Sequence, residues 1–147
     1  MSMRELYQEM IVDHGKQPRN KGTLPNANHS HDGHNPLCGD RLIVYLIVKD
    51  NKIEDIRFEG AGCAISVASA SLMTEMVKGK SIDEIQHLFD AFHQLVTEGH
   101  AGHEEILGKL IAFAGVAEFP VRVKCATLAW HTLRAALAND PNSVSTE

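Results

Sequence analysis

Met3, Leu6, Tyr7, Met10, Ile11 and His14 recur at three- and four-residue steps, which predicts a helix at the start of the chain, closed by Gly15 and Pro18. The stretch that follows, residues 18–35, is rich in Pro, Gly, Asn and His and reads as a loop with room for a short edge strand, though no alternation demands one. Residues 42–48 form a continuous β-favouring apolar run, the pattern of a strand covered on both faces. Asp50-Asn51 signals a turn, after which Ile56 and Phe58 alternate with Asp55, Arg57 and Glu59. The two runs predict an antiparallel hairpin. Gly60-Ala61-Gly62-Cys63 then turns sharply into a helix carrying Ile65, Ala68, Leu72 and Met76 on one side, stopped by Gly79.

Ser81-Ile82-Asp83-Glu84 has the form of a capping box, and Ile85, Leu88, Phe89, Phe92 and Val96 carry the helix it opens. Gly99 and Gly102 break the chain; Ile106, Leu107, Leu110, Ile111 and Phe113 predict a fourth helix. Pro120 suits the first turn of a fifth, whose buried face is Val123, Ala126, Thr127, Trp130, Leu133 and Leu137. The expected class is α+β: a small antiparallel sheet with a hairpin core packed against several helices. Residues 1–138 read as a single domain and 139–147 as a flexible polar tail.

Composition narrows the function. A chain of 147 residues with 44% hydrophobic and 22% charged residues folds around its own core. A net charge of -5 argues against a nucleic-acid partner, which needs a concentrated basic face. No run approaches the roughly 18 apolar residues of a membrane helix, so no membrane is expected. The start of the chain shows no apolar signal core, which makes the cytoplasm the expected location. Three cysteines argue against a disulfide framework.

Those cysteines carry the candidate chemistry. Cys38 lies in a turn before the first strong strand, Cys63 at the strand-to-helix turn, and Cys125 in the first turns of the last helix. Adjacent antiparallel strands make Leu42 and Glu59 neighbours, which brings Cys38 and Cys63 to one end of the hairpin; nothing local brings Cys125 there. A helix N-terminus favours thiolate at Cys63, and Arg122 and Lys124 are expected to favour it at Cys125. With Asp40, three thiolates complete a tetrahedral zinc shell, for which Arg122, Lys124 and Arg41 are the candidate balancing cations. Three buried apolar thiols are the alternative. His29, His31 and His34 with Asp32 read as a solvated polar loop rather than a metal site, and His87, His93, His100 and His103 as surface residues.

Three blocks carry a resemblance: residues 35–41 (Asn35 to Arg41), 59–74 around Cys63, and 119–130 around Cys125. Together they resemble the U-type iron–sulfur assembly proteins: IscU, the N-terminal part of NifU, and SufU. Lys124 stands where IscU-type proteins are expected to carry His. The 61 residues between Cys63 and Cys125 exceed the IscU-type spacing, pointing to a SufU-type insertion between about Lys78 and Glu118. The polar stretch 28–34 departs from the family's more apolar segment.

The resemblance implies zinc held by Cys38, Asp40, Cys63 and Cys125, with Arg122 nearby, and sulfur received from a SufS-type cysteine desulfurase. Cys38 is the expected persulfide acceptor, because a glycine-flanked turn can swing out where a helix-borne Cys125 cannot. The protein is then a zinc-dependent sulfurtransferase that serves downstream Fe–S assembly proteins. The alternatives are a scaffold holding iron or an Fe–S cluster at the same ligands, and a structural zinc domain that only binds partners.

Overall fold

The first helix, α1 (Met3–Lys16), starts at Ser2, whose hydroxyl accepts the Glu5 N–H at 3.2 Å. Its one deeply buried side chain is His14, 3% exposed, with Nδ1 2.7 Å from the Ser71 hydroxyl. That bond docks α1 onto α2 (Ala64–Val77). A computed structural model describes residues 2–100, 102, 104–139 and 144–146.

Three strands follow one another: β1 (His29–Asn35), β2 (Asp40–Lys49) and β3 (Lys52–Ala61). With β4 (Val144–Ser145) they form a four-stranded sheet in the order β3-β2-β1-β4. β1 corrects the expected loop. Polar residues occupy both of its faces, so hydropathy carries no alternation there; pairing with β2, from His29 opposite Leu46 to Asn35 opposite Asp40, makes the strand. The sheet is also mixed rather than purely antiparallel, since β4 runs parallel to β1. The chain end expected as a tail thus returns to the sheet at Val144 and Ser145; residues 140–143 and 147 of that tail lie outside the described residues, as does His103.

The hairpin forms as expected, shifted by one position: Leu42 faces Gly60, and Ile43 faces Glu59. Along the apolar run of β2, Leu42, Val44 and Leu46 are buried, while Ile43, Tyr45 and Ile47 are half-buried. The run expected to be covered twice therefore has helices on one face and an open second face.

α2 lies at the centre, with buried residues all around it and a core of Ala, Ser, Leu and Met. α3 (Ile82–Glu98) is amphipathic and opens with the expected capping box: Ser81 Oγ accepts the Glu84 N–H, and Glu84 Oε1 accepts the Ser81 N–H. The expected fourth helix is split. α4 (Glu104–Leu107) gives way at Gly108 (φ +52°) to a 3₁₀ segment, Gly108–Glu118. There Leu110, Phe113 and Val116 are buried at steps of three, the 3₁₀ repeat rather than the α repeat. α5 (Pro120–Ala138) closes the fold with Trp130 fully buried, stacked on Phe92 with ring centroids 4.8 Å apart. Among the described residues no helix is long and apolar enough to cross a membrane.

Candidate metal centre

The thiol-bearing end of the sheet is assembled from three turns of chain. Asn35 closes β1, and its Oδ1 accepts the Leu37 N–H at 3.2 Å while its carbonyl accepts the Cys38 N–H at 3.3 Å. This local turn, with Gly39 at φ +71°, presents Cys38 half-exposed. Asp40 begins β2 and is buried, 1% exposed. Its Oδ1 accepts the Cys63 N–H at 2.8 Å, and its Oδ2 lies 4.0 Å from Cys63 Sγ. The carboxylate reaches that position because residue 62 is glycine: a Cβ there would overlap Asp40 Oδ1. Cys63 caps α2, its sulfur accepting the Ser66 N–H at 3.5 Å.

Cys125 arrives from the far side of the fold. Ser69 Oγ donates to the Ala126 carbonyl at 2.6 Å and accepts from Trp130 Nε1 at 3.2 Å, which locks α5 onto α2 beside the cysteine. Cys125 Sγ then lies 3.1 Å from Cys38 Sγ and 3.5 Å from Asn35 Nδ2, which donates to it.

Cys38, Asp40 and Cys125 offer ligand atoms all within 4.8 Å of one another. Ligands on a tetrahedral zinc stand about 3–4 Å apart, so this donor set fits the ion, and its soft sulfurs with one oxygen suit iron as well. Cys63 stands outside that tight group and is tied to it through Asp40. Of the expected balancing cations, Arg122 is exposed and lies over the Phe119 ring at 4.3 Å, and Lys124 is half-buried. Arg41, next to Asp40 in a strand, alternates to the open face of the sheet, where it lines a cavity of about 990 Å³ with Asp32, His34 and Glu59.

The expected thiolate at Cys125 is overturned for the bare protein. Burial pushes its thiol well above the usual cysteine range, and the neighbouring Cys38, Asp40 and Cys63 add to the shift. Sequence neighbours Arg122 and Lys124 do not offset this, since desolvation dominates at a side chain 1% exposed. Two contributors went unassigned in the sequence. Asn35 is fully buried and contacts Cys125; its signal was the Asn-Pro turn. Gly62 has no local signal beyond being glycine, because the atom it clears for is 22 residues away in Asp40.

Around the centre the surface is apolar. Leu37, Phe119 and Val121 are exposed, and a groove of about 830 Å³ runs from Cys63 between α1 and the 3₁₀ segment, lined by Tyr7, Ile11, Ile65, Phe119 and Arg122.

The chain is 42% identical over 135 residues to the zinc-dependent sulfurtransferase SufU of Bacillus subtilis, covering 92% of this chain and 91% of that one. It is 40% identical to the iron–sulfur cluster assembly scaffold protein IscU of Streptococcus pyogenes, over 96% of this chain and 88% of that one. A crystal structure from Fervidobacterium islandicum, described as a candidate assembly scaffold for the SUF system, superposes with a TM-score of 0.84 at 37% identity, covering 92% of this chain and 99% of that one. The NifU-like N-terminal domain matches residues 6–126, spanning all three cysteines and Asp40, and the chain belongs to that family.

Proposed function

We propose that this protein is a cytoplasmic iron–sulfur cluster assembly protein that carries sulfur, taking it as a persulfide on Cys38 from a SufS-type cysteine desulfurase and giving it to downstream assembly proteins. The observation that carries this reading is the meeting of Cys38, Asp40 and Cys125 within 4.8 Å at a half-exposed turn. The name of the Bacillus subtilis relative, a zinc-dependent sulfurtransferase, supports it.

Cys38, Asp40, Cys63 and Cys125 would hold zinc, which when bound would keep their thiols deprotonated at neutral pH. The chain's own residues do the rest. Asp40 fixes the Cys63 backbone, so two turns move as one unit. Cys125 stays rigid in a helix locked by Ser69, while Cys38 rides on a turn whose outer side is Leu37, 61% exposed. Exposed Leu37, Phe119 and Val121 provide an apolar rim against which a partner excludes water. The Cys38 thiolate attacks the outer sulfur of the desulfurase persulfide. A new S–S bond forms on Cys38 and the desulfurase cysteine leaves as thiolate.

The test is transfer of labelled sulfur from cysteine through a desulfurase to this protein, read by intact mass. With zinc bound, wild type gains one sulfur atom and Cys38→Ala does not. Equal labelling of Cys38→Ala overturns the assignment.

A second reading has its own support: relatives from Streptococcus pyogenes and Thermotoga maritima are named assembly scaffolds. The same donor set would then hold a cluster as cargo. A coloured cluster that builds on the protein with iron and sulfide, and passes to an apo-acceptor, favours the scaffold; colourless protein with tightly bound zinc favours the carrier.

A further inference from the structure

The sulfur carrier reading leaves one question that the geometry answers: how the sulfane sulfur becomes sulfide. Cys125 Sγ sits 3.1 Å from Cys38 Sγ, with its S–H donating toward it. The two differ in setting. Cys125 is buried beneath Cys38, and Cys38 is the half-exposed member. A sulfur delivered by a docking partner therefore adds on the outer side of Cys38, with Cys125 on the inner side. Displacement at divalent sulfur proceeds in line, so a thiol on the inner side attacks the inner sulfur and expels the outer one.

We propose that, when no metal holds the pair, Cys125 is the resolving cysteine of the Cys38 persulfide and that the step releases sulfide inside the protein. This rests on Cys38 as the acceptor. Cys125 gives its proton to solvent as its sulfur bonds to Cys38 Sγ, the bond from Cys38 Sγ to the outer sulfur breaks, and that sulfur leaves with the electron pair and takes up a proton from solvent as HS⁻. A persulfide anion and a thiol become a disulfide and hydrosulfide, with hydrogen and charge conserved. The sulfane sulfur is reduced by two electrons and the cysteine pair is oxidised by two, so no outside oxidant is needed. A small-molecule or protein dithiol then resets the pair.

Local structure suits the closure. A disulfide needs its sulfurs about 2 Å apart, so the pair must close by about 1 Å. Cys38 supplies the movement from a turn containing Gly39, around which nothing lies within 4 Å of an added Cβ. Cys63 is set apart from the pair: its sulfur accepts the Ser66 N–H at 3.5 Å and lies 4.0 Å from Asp40 Oδ2, outside the tight group of ligand atoms. An oriented pair has an effective molarity on the order of 10⁵ M, far above any thiol in solution.

The experiment uses the full chain, stripped of metal by a chelator and held without oxygen. It is loaded in two ways: with inorganic polysulfide, then desalted, and with a desulfurase plus cysteine. Mass spectrometry follows the extra sulfur, a sulfide assay follows release, and a peptide map locates the disulfide. In the polysulfide arm, one sulfide is expected for each persulfide lost, together with a disulfide joining the Cys38 and Cys125 peptides. Cys125→Ser is expected to keep its persulfide, slowing release about a hundredfold or more. Should that variant fail to fold, the wild-type peptide map decides. A persulfide that persists in wild type, a sulfur moved onto Cys125 without sulfide release, or a disulfide through Cys63 overturns the proposal. Loading by polysulfide but not by the desulfurase refutes the carrier reading alone, and the resolving step is still read in the first arm.

Discussion

The two ends of the β2–β3 hairpin are built from the same two strands but by opposite means. At the far end, Asp50 and Asn51 turn the chain at φ +53° and +63°, and one segment, residues 79–82, braces the turn. Ile53 donates to the Lys80 carbonyl, Gly79 to the Ile53 carbonyl, and Ile82 to the Asn51 carbonyl, with the Ser81 cap completing the corner. At the thiol end Asp40 holds Cys63 across the hairpin, and the further bracing comes from much farther along the chain: Asn35 and Cys38 reach Cys125, 90 and 87 residues away. One end is an architectural corner coded in place. The other exists only once the whole fold has closed. Substitutions should separate them, the far end losing stability alone and the thiol end losing stability and metal together.

The largest effect is expected from Asp40→Ala. It removes an oxygen donor and leaves the Cys63 N–H without its acceptor, a loss of about 1–3 kcal/mol. Metal analysis should show the zinc or iron content of the purified protein falling to a small fraction of wild type, with a lower Tm by calorimetry. Gly62→Ala comes next. Its Cβ overlaps the Asp40 carboxylate, so the carboxylate must move; about 1–3 kcal/mol and part of the bound metal should go. Gly79→Ala is its counterpart at the far end, with φ +85° and open space around it. It should cost about 1–2 kcal/mol through backbone strain, with metal content unchanged. Metal loss in Gly79→Ala equal to that in Gly62→Ala would erase the contrast. Ser81→Ala removes only a helix cap and should cost about 1 kcal/mol in urea unfolding, again at constant metal.

Acid probes the layer between the ends. Burial first, then the Arg19 charge, lowers the His14 pKa below its usual 6.5, against the opposing pull of Glu75 and Asp13. The unfolded chain binds that proton more readily than the folded one. Stability is therefore whole above about pH 6.5 and declines as pH falls below it. His131, whose pKa is lowered by burial and by His93 and Arg134, acts with the same sign. The slope of Tm against pH between 7 and 5.5 should flatten in His14→Gln, by less than any of the effects above.

What the sequence made legible follows the same division. The far corner, the capping box, the hairpin and the approach of Cys38 to Cys63 were all readable, because each depends on residues near one another or on strand register. β1 was not, since His29 to Asn35 alternate polar with polar and become a strand only through β2. Nor was the arrival of Cys125 readable from the residues themselves, because it depends on Ser69 and Trp130 locking two helices whose facing residues lie 57 and 61 positions apart. The charge state expected at Cys125 failed for the same reason: Arg122 and Lys124 are close in sequence, whereas burial is a property of the finished fold.

The short pairing of Val144 and Ser145 with Gly33 and His34 carries a last consequence. β1 leads directly to the Cys38 turn, and without β4 its outer border would present unmet backbone donors and acceptors along a bare margin. Two residues at the end of the chain act as a hem. Clipping them would turn that margin adhesive, so self-association in concentrated solution, visible by light scattering, should begin beside the very strand that delivers Cys38.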